Sequence, residues 1–481
     1  MTDMLHIFTS LTRHSTCFVN IGLSLCLLLG LPSCSLIPAA APVANSTLEP
    51  RRLGRELQTY HAPTESSPDD HLSRTFTEPT GLLTVPTALA AALLNSPTLA
   101  AFSWEVRARE ASALQAGLRP NPEVGFEVEE FGGSRSRTAF HDSETTFLLG
   151  QLLELGDKRT KRQRLATLER DLAAWDYETR RLDVLTTVAK VFVVALAAQE
   201  RVSLEEEQVQ LAQEVLQTVA RQVKAGAVSP VQETRAQVAL ASSRVELSQR
   251  KREGTVAQLQ LAATWGSMAV TFSAVSGDLE TIVPPPSADD LLPHLIHNPD
   301  IARWGVEKEQ RHAVLELEQA RQIPNVEVGG GVRYFNADTT GALVFETRMP
   351  LMLFDRNQGG IQEAHARLAK AEAEQRAAQV QTRATLAAAH QSLVSAFEQV
   401  SALRDNIIPQ AQSAFEGVSL AFQRGRFRYL DVLDARRTLF TLRGQYVEAL
   451  ANYHTAVADV ERLIAERLAV LNHPAGTDGA P

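Results

Sequence analysis

Hydrophobic and polar residues alternate in three stretches of the chain with the period of a β-strand. Residues 326–335 read VEVGGGVRYF, where every second position is apolar or glycine, and residues 342–349 read ALVFETRM, where Leu343, Phe345, Thr347 and Met349 alternate with the other residues. Residues 123–129 (EVGFEVE) alternate over a shorter length. Such a pattern places apolar side chains on one face of a strand and polar ones on the other. A strand of about ten residues with one polar face is typical of a transmembrane barrel, and the shorter stretch also fits a soluble hairpin.

A different pattern occupies most of the remaining chain. Between Gly156 and Gly226 there are 69 residues with neither Gly nor Pro, which predicts a helix about 100 Å long at 1.5 Å per residue. Its apolar residues recur at spacings of three and four, as in a coiled coil. The segment 361–424 repeats this pattern, and we expect interruptions at Pro409 and Gly417. The sequence therefore predicts a mainly α-helical protein with a small β part.

The body of the chain contains a two-fold internal repeat of these elements. Pairs of residues recur at nearly constant spacing: Pro97 with Pro299 and Pro122 with Pro324 at 202, Asp157 with Asp355 at 198, and Gly226 with Gly425 at 199. Three consecutive prolines at 284–286 mark the boundary between the halves. We therefore expect one repeat in residues 85–283 and a second in residues 284–470, each with a helix, a strand hairpin, a very long helix and a returning helix.

Composition narrows the class of protein. The 481 residues include 66 Ala but only 6% aromatic residues, which favours slender packed helices over an aromatic core. A net charge of −9 argues against a nucleic-acid partner. A mean hydropathy of −0.12 argues against a polytopic helical membrane protein but leaves one made of strands open. No phosphate-binding loop or catalytic motif is present, so we expect neither an enzyme nor a cofactor.

The N-terminus reads as a targeting segment. An apolar stretch from Phe18 to Leu31 is followed by Pro32, Ser33 and Cys34, which resembles a bacterial lipobox, and the alternative is ordinary cleavage near residues 39–41. We predict a signal peptide in residues 1–33, lipidation at Cys34, an extended segment in residues 34–84 and a tail in residues 471–481. The other two cysteines lie within the signal, so the mature chain would hold no free thiol.

Three motifs carry a resemblance to a known family. Residues 425–435 read GRFRYLDVLDA, residues 153–159 read LELGDKR, and residues 350–359 read PLMLFDRNQG. Together with the repeat, they resemble the TolC-type outer-membrane efflux family and its CzcC-like heavy-metal branch. The resemblance implies a homotrimer in the outer membrane, in which a twelve-stranded β-barrel continues into a periplasmic α-helical tunnel. It also implies two partners, a periplasmic adaptor protein and an inner-membrane pump of the RND type.

The same resemblance suggests where contacts and a constriction lie. The two turn motifs would meet the adaptor at the periplasmic tip, with these contact residues: Lys224, Gly226, Ser229, Gly425, Arg426 and Arg428. For the two glycines, the simpler interpretation is that each ends a helix. Three copies of Glu416 would form a carboxylate ring that narrows the tunnel, the alternative being a solvated helix residue. His294 and His297 lack a third ligand in the sequence, and surface side chains are the simpler interpretation.

The sequence thus favours a passive outer-membrane channel of a tripartite efflux system for heavy-metal cations. A channel for drugs or for a secreted polypeptide is the alternative within this class. A lipid-anchored periplasmic coiled-coil scaffold without a pore is the alternative from another class. The amphipathic strands favour a channel over the scaffold.

Overall fold

The computed structural model of the protein describes residues 53–63, 78–134, 139–424 and 426–468. The first half contains β1 (Gly81–Thr84), α1 (Val85–Asn95), α2 (Pro97–Ala116), β2 (Glu123–Glu129), β3 (Glu144–Leu153), α3 (Lys158–Lys224), α4 (Pro230–Ala263) and β4 (Phe272–Ser276). The second half contains α5 (Ala288–Leu291), a 3₁₀ turn (Leu292–His297), α6 (Pro299–Ala320), β5 (Val326–Phe335), β6 (Thr340–Arg348), α7 (Gln358–Ala402), a π-helical turn (Leu403–Ile407), α8 (Ile408–Gln423) and α9 (Tyr429–Ile464).

Helices α2 and α6 open the two halves in the same way. Each begins with a proline at its first position, Pro97 or Pro299, where the missing N–H costs no hydrogen bond. The helices end 204 positions apart, at Ala116 and Ala320. The helix starts are 202 positions apart, as are Pro122 and Pro324 in the predicted pairing, whereas the helix ends are two positions further apart.

Helix α3 is a single uninterrupted helix of 67 residues, as predicted, and is about 100 Å long. It contacts α2, α4, α6 and α9, so the whole helical body is organised around it. Val188 and Phe192 are fully buried at its centre. By length and composition the helix holds an 18-residue window apolar enough to cross a membrane, and 44% of that window is buried inside the protein.

The second long helix is divided once. The π-helical turn Leu403–Ile407 separates α7 from α8 immediately before Pro409. Because Pro409 lacks an N–H, the regular hydrogen-bond ladder must be broken here, and the wider turn accommodates the break. Gly417 lies within α8 and does not interrupt it, so the predicted interruption at this glycine is wrong.

The strands form two sheets. One is antiparallel with the order β2-β3-β5-β6, and the other is a parallel pair of β1 with β4. The three stretches with alternating residues all lie in strands of the larger sheet, which confirms that prediction. Within one chain the larger sheet is open, and β2 and β6 are its edges.

The main core lies where α1, α3, α7 and α9 pack beside the β1–β4 pair. Part of the segment predicted as extended is packed onto this core. The carbonyl of Leu53 accepts a hydrogen bond from Arg181 at 2.9 Å, and the carbonyl of Ala62 accepts one from Arg107 at 2.8 Å. These bonds fix residues 53–63 along the helices. Residues 1–52, with the predicted signal peptide and Cys34, lie outside the described part of the chain, as do residues 469–481.

Candidate functional site

One face of the large sheet is apolar and exposed across all four strands. Phe126, Phe147, Val332 and Leu343 are successive cross-strand partners and form one continuous row. Their exposed fractions are 70%, 50%, 54% and 88%. Phe345 belongs to the neighbouring row and is 79% exposed. A large apolar surface that no part of the chain covers is typical of contact with lipid or another protein.

The opposite face of the sheet is polar and carries ion pairs. Arg333 on β5 contacts Glu144 at 2.9 Å and Glu129 at 3.4 Å, which connects three strands. Arg348 on β6 contacts Glu346 of its own strand and Glu327 of β5, the latter at 3.9 Å. The sheet therefore separates an uncharged face from a charged one, as a pore wall requires.

The far ends of the long helices contain two turns built on the same backbone motif. After α3, Gly226 adopts a φ of +72° and the N–H of Ala227 donates to the carbonyl of Gln222 at 2.9 Å. After α8, the N–H of Arg426 donates to the carbonyl of Ala421, also at 2.9 Å. These six-to-one bonds are those of a Schellman motif. The interpretation of Gly226 as a helix-ending glycine is confirmed, while Gly425 lies outside the described residues.

The helices that leave the two turns are capped by side chains. The hydroxyl of Ser229 accepts from the N–H of Val231 at 3.4 Å at the start of α4. The carboxylate of Asp431 accepts from the N–H of Arg428 at 2.9 Å at the start of α9. Asp431 thus caps the first turn of α9. The side chain of Arg428 is 80% exposed, and its guanidinium lies 3.6 Å from the carboxylate of Asp431.

A small hydrophobic cluster brings the two turns together. We call it the tip cluster, and its buried members are Val219, Ala236, Phe422, Tyr429 and Val432. Val228 of the first turn packs against the same cluster. Burial in this cluster raises the pKa of the Tyr429 hydroxyl. The two motifs that the sequence placed at one end of the molecule are therefore neighbours in space.

The predicted contact residues lie on the surface of this tip. Lys224, Ser229, Arg426 and Arg428 are all exposed. The sequence analysis missed the apolar side chains beside them, of which Val231 is 58%, Phe427 50% and Leu430 44% exposed. For two of them the signal was present in the motif GRFRYL, where Phe427 lies between the arginines and Leu430 follows two residues after them. The tip thus presents basic and apolar groups together.

Glu416 occupies an exposed position in α8. Its Oε1 accepts a hydrogen bond from Gln412 at 2.6 Å, and the Oε1 of Gln412 in turn accepts one from Arg443 of α9 at 3.1 Å. These two hydrogen bonds orient the carboxylate of Glu416.

A charged groove of about 900 Å³ runs between α3, α4 and α9. Arg436 lines it, is only 7% exposed, and its Nε has no hydrogen-bond partner within the described residues. Burial lowers the pKa of Arg436 and raises that of Glu205, another lining residue. The sequence analysis missed this groove, because it depends on three helices that are distant in sequence.

One member of the histidine pair, His294, contacts a carboxylate. The Nδ1 of His294 lies 2.8 Å from a carboxylate oxygen of Glu466, and both side chains are largely buried. His294 is thus not the surface side chain that the sequence favoured. Within the described residues, no group of three or more His, Cys, Asp or Glu side chains is arranged to hold a metal ion.

An amphipathic sheet joined to helices of about 100 Å is the architecture of an outer-membrane channel subunit. The chain belongs to the outer membrane efflux protein family, whose model matches residues 88–267 and 294–466. This family consists of passive conduits, so the chain is a channel component and not an enzyme.

Relatives with known roles are similar along most of the chain. The cobalt-zinc-cadmium resistance protein CzcC of Cupriavidus metallidurans is 33% identical over 388 residues, which are 80% of this chain and 91% of the relative. The nickel and cobalt resistance protein CnrC of the same organism is 27% identical over 60% of this chain and 68% of its own length.

Solved structures show the same fold. A crystal structure of CusC superposes with a TM-score of 0.68 at 17% identity and covers 82% of this chain and 96% of its own. The outer membrane protein VceC of Vibrio cholerae gives a TM-score of 0.65 at 18% identity, covering 80% of this chain and 96% of its own.

Proposed function

We propose that this protein is the outer-membrane channel of a tripartite RND-type efflux system that exports heavy-metal cations. Membership of the efflux family supports the channel role. Similarity to CzcC, a cobalt-zinc-cadmium resistance protein, and to CnrC, a nickel and cobalt resistance protein, supports the metal cargo. The channel itself supplies no energy, so selectivity and work would come from the pump.

The continuous apolar row across the four strands is the observation that carries this proposal. One sheet of four strands cannot enclose a pore, and its edges β2 and β6 would leave unpaired N–H and C=O groups in lipid. Three copies would close these edges into a barrel of twelve strands, with the apolar row facing lipid and the charged face lining the pore. Closure by a homotrimer removes every edge.

The helical part would form the wall of a periplasmic tunnel. The two halves follow the same order of elements, which supports a two-fold repeat that contributes equivalent helix pairs to this wall. Lipidation of Cys34 would add an anchor in the outer membrane. The tip, with Lys224, Ser229, Arg426 and Arg428, would contact the adaptor, and a ring of Glu416 side chains would narrow the tunnel there.

A face-specific substitution tests the barrel. Leu343→Arg would place a charge on the lipid face, where Arg costs about 2–4 kcal/mol near the middle of the bilayer. Val344→Arg, on the adjacent residue, would point into the pore and serves as the matched control. We expect the first variant to be lost from the outer membrane and the second to assemble and conduct in planar bilayers. Equal behaviour of the two variants would contradict the proposal.

Growth of a deletion strain tests the cargo. We expect loss of the gene to lower tolerance of at least one of cobalt, zinc, cadmium, copper and silver, and the wild-type gene to restore it. Unchanged tolerance of all five metals, together with increased sensitivity to drugs, would assign the channel to drug efflux. A protein that reaches the outer membrane but never conducts would instead be a scaffold.

A further inference from the structure

The open sheet contains a template for how two copies join. In the proposed trimer, on which this inference rests, β6 of one copy pairs with β2 of the next. A single chain does not contain this junction between β6 and β2 of two copies, which we call the seam. It does contain an equivalent junction, because β3, the second strand of the first hairpin, pairs with β5, the first strand of the second hairpin.

The two hairpins can be matched residue by residue. The sequence PNPEVG at 120–125 corresponds to PNVEVG at 324–329, a shift of 204 that also separates the ends of α2 and α6. Glu123 pairs with Gly150 in the first hairpin, and its counterpart Glu327 pairs with Arg348 in the second. Strand β3 is therefore matched to β6 by a shift of 198, which is the spacing of Asp157 and Asp355.

These two shifts transfer the β3–β5 register to the seam. Gly150 lies opposite Gly329 in the β3–β5 junction. Moving Gly150 forward by 198 gives Arg348, and moving Gly329 back by 204 gives Gly125. Arg348 of one copy thus lies opposite Gly125 of the neighbouring copy, a residue with no side chain to obstruct it.

The apolar side of the seam agrees with this register. The pairs Leu149–Gly330 and Phe147–Val332 become Thr347 opposite Phe126 and Phe345 opposite Val128. All four residues belong to the lipid face, where Thr347, Phe126 and Phe345 are exposed and Val128 is half-buried, so the apolar rows continue from one copy to the next. A shift by one residue would instead place charged side chains in this face.

On the polar side of the seam, the carboxylates of β2 need a basic partner, and Arg348 of β6 can supply it. On β2, Glu123 and Glu127 flank Gly125 on the same face, and neither has an ion-pair partner within the described residues. The register also places Glu346 opposite Glu127, and like charges in that position are destabilising. Arg348 is the only basic residue of β6, and β2 has none.

We propose that Arg348 closes the seam between copies by binding the Glu123 and Glu127 carboxylates of the neighbouring copy. Diagonal neighbours on adjacent strands are about 7–8 Å apart, which a long side chain can span. A guanidinium has five N–H donors, so Arg348 keeps its contact with Glu346 while it binds carboxylates of the neighbouring copy, and its charge offsets part of the repulsion among them. Each assembled trimer contains three such contacts.

Disulfide formation tests the register. The native cysteines are confined to residues 17–34, so the strands carry none. Thr347→Cys with Phe126→Cys creates a directly opposite pair, whose Cα atoms would lie about 4.5–5.5 Å apart and within disulfide range. Thr347→Cys with Val128→Cys is the control and is displaced by two residues. We expect oxidation to link copies into dimers and trimers only for the first pair, with either single variant unlinked.

Preferential linkage of the control pair, or of neither pair in a protein that is trimeric by native mass spectrometry, would overturn the register. Absence of any trimer by that measurement would instead show that the proposed function fails. Failure of the proposed register and failure of the proposed function therefore give different results.

A charge exchange tests the role of Arg348. We expect Arg348→Glu to reduce the fraction of trimer that survives heating in detergent, and the added substitution Glu127→Arg to restore it. Glu372→Arg, at an exposed position on α7, is the comparison for the second substitution and should not restore the Arg348→Glu trimer. An Arg348→Glu trimer as resistant to heating as the wild type, or equal rescue by Glu127→Arg and Glu372→Arg, would refute this contact.

Discussion

The ring centroids of Phe422 and Tyr429 lie 6.2 Å apart, with the rings tilted by 49°, across the turn between α8 and α9. Phe422 is near the end of one helix and Tyr429 is the first residue of the next. The contact therefore holds the two helices together at the point where the chain reverses. Val228 of the other turn packs on the same tip cluster, so this cluster also connects the two halves of the chain.

Removing one of these rings should loosen the tip. Tyr429→Ala deletes a side chain that is only 4% exposed, and large-to-small changes of this kind cost about 3–5 kcal/mol. Tyr429→Phe keeps the ring and is the control. Trypsin can report the change, since Arg424, Arg426 and Arg428 are cleavage sites in the turn. We expect faster cleavage there in the alanine variant only, and equal rates in both variants would contradict the prediction.

A second prediction concerns two adjacent glycines of β5. A Cβ on Gly331 would lie 2.1 Å from the carbonyl oxygen of Phe147, whereas one on Gly330 would meet nothing within 4 Å. Gly331→Ala must therefore push β3 and β5 apart, and Gly330→Ala should be tolerated. We expect the first variant to lose assembled protein from the outer membrane and the second to match the wild type. Comparable amounts of both in purified membranes would show that the strands separate easily.

The sequence predicted these elements where the pattern is local. Alternation in β5 and the absence of Gly and Pro in α3 identified both elements, because periodicity depends only on neighbouring residues. Gly417 was misjudged, since an exposed glycine in a packed helix costs only about 1 kcal/mol and need not interrupt it. The π-helical turn before Pro409 shows that a missing N–H has a stronger effect.

The candidate site was predicted in part for the same reason. The two turn motifs were recognised and placed together, because equivalent positions in a repeat lie at the same end of the molecule. Burial of Arg436 was not foreseen, since it follows from how α3, α4 and α9 pack. Gln412, which donates to Glu416, is itself held by Arg443 of α9. This second hydrogen bond was not foreseen either, because the sequence of α8 does not show that α9 lies beside it.

A third prediction follows from the environment of Glu461. Burial raises the pKa of this carboxyl, and the N–H of Leu468 donates to it at 3.1 Å. Unfolding then releases a proton between the ordinary carboxyl pKa, 4.5, and the raised value in the folded protein, so stability falls as pH rises through this interval. Glu461→Gln stays neutral and still offers an acceptor. We expect it to be more stable than the wild type at pH 7.

Thermal unfolding at several pH values measures this difference. The gain in melting temperature of the Glu461→Gln variant should disappear as the pH is lowered below 4.5, because the wild-type carboxyl is then neutral in both states. Glu398→Gln, at an exposed position in α7, is the control and should follow the wild-type curve. A constant difference at every pH would mean that protonation of Glu461 is not its cause.

A fourth prediction concerns the proposed constriction. Glu416→Ala removes a carboxylate that Gln412 orients, and three copies of the change would remove the whole ring. We expect weaker block of single-channel current by divalent cations and lower preference for cations over anions. Glu416→Gln keeps the size of the side chain and should have the same effect, since only charge matters here. Unchanged block in both variants would place the constriction elsewhere.

The last prediction concerns the basic tip and its proposed adaptor. Arg426 and Arg428 project from the turn beside the exposed ring of Phe427, so reversal of both charges should weaken adaptor binding without disturbing the channel. The variant with Arg426→Glu and Arg428→Glu should retain conductance but lose metal export and co-purification with the adaptor. Lys370→Glu, at a 71% exposed position on α7, is the matched charge reversal and should preserve both properties. Because electrostatic attraction is screened by ions, the defect of the tip variant should diminish as salt is raised. If the tip variant instead binds adaptor as tightly as wild type at low salt, apolar groups such as Phe427 would have to carry the contact.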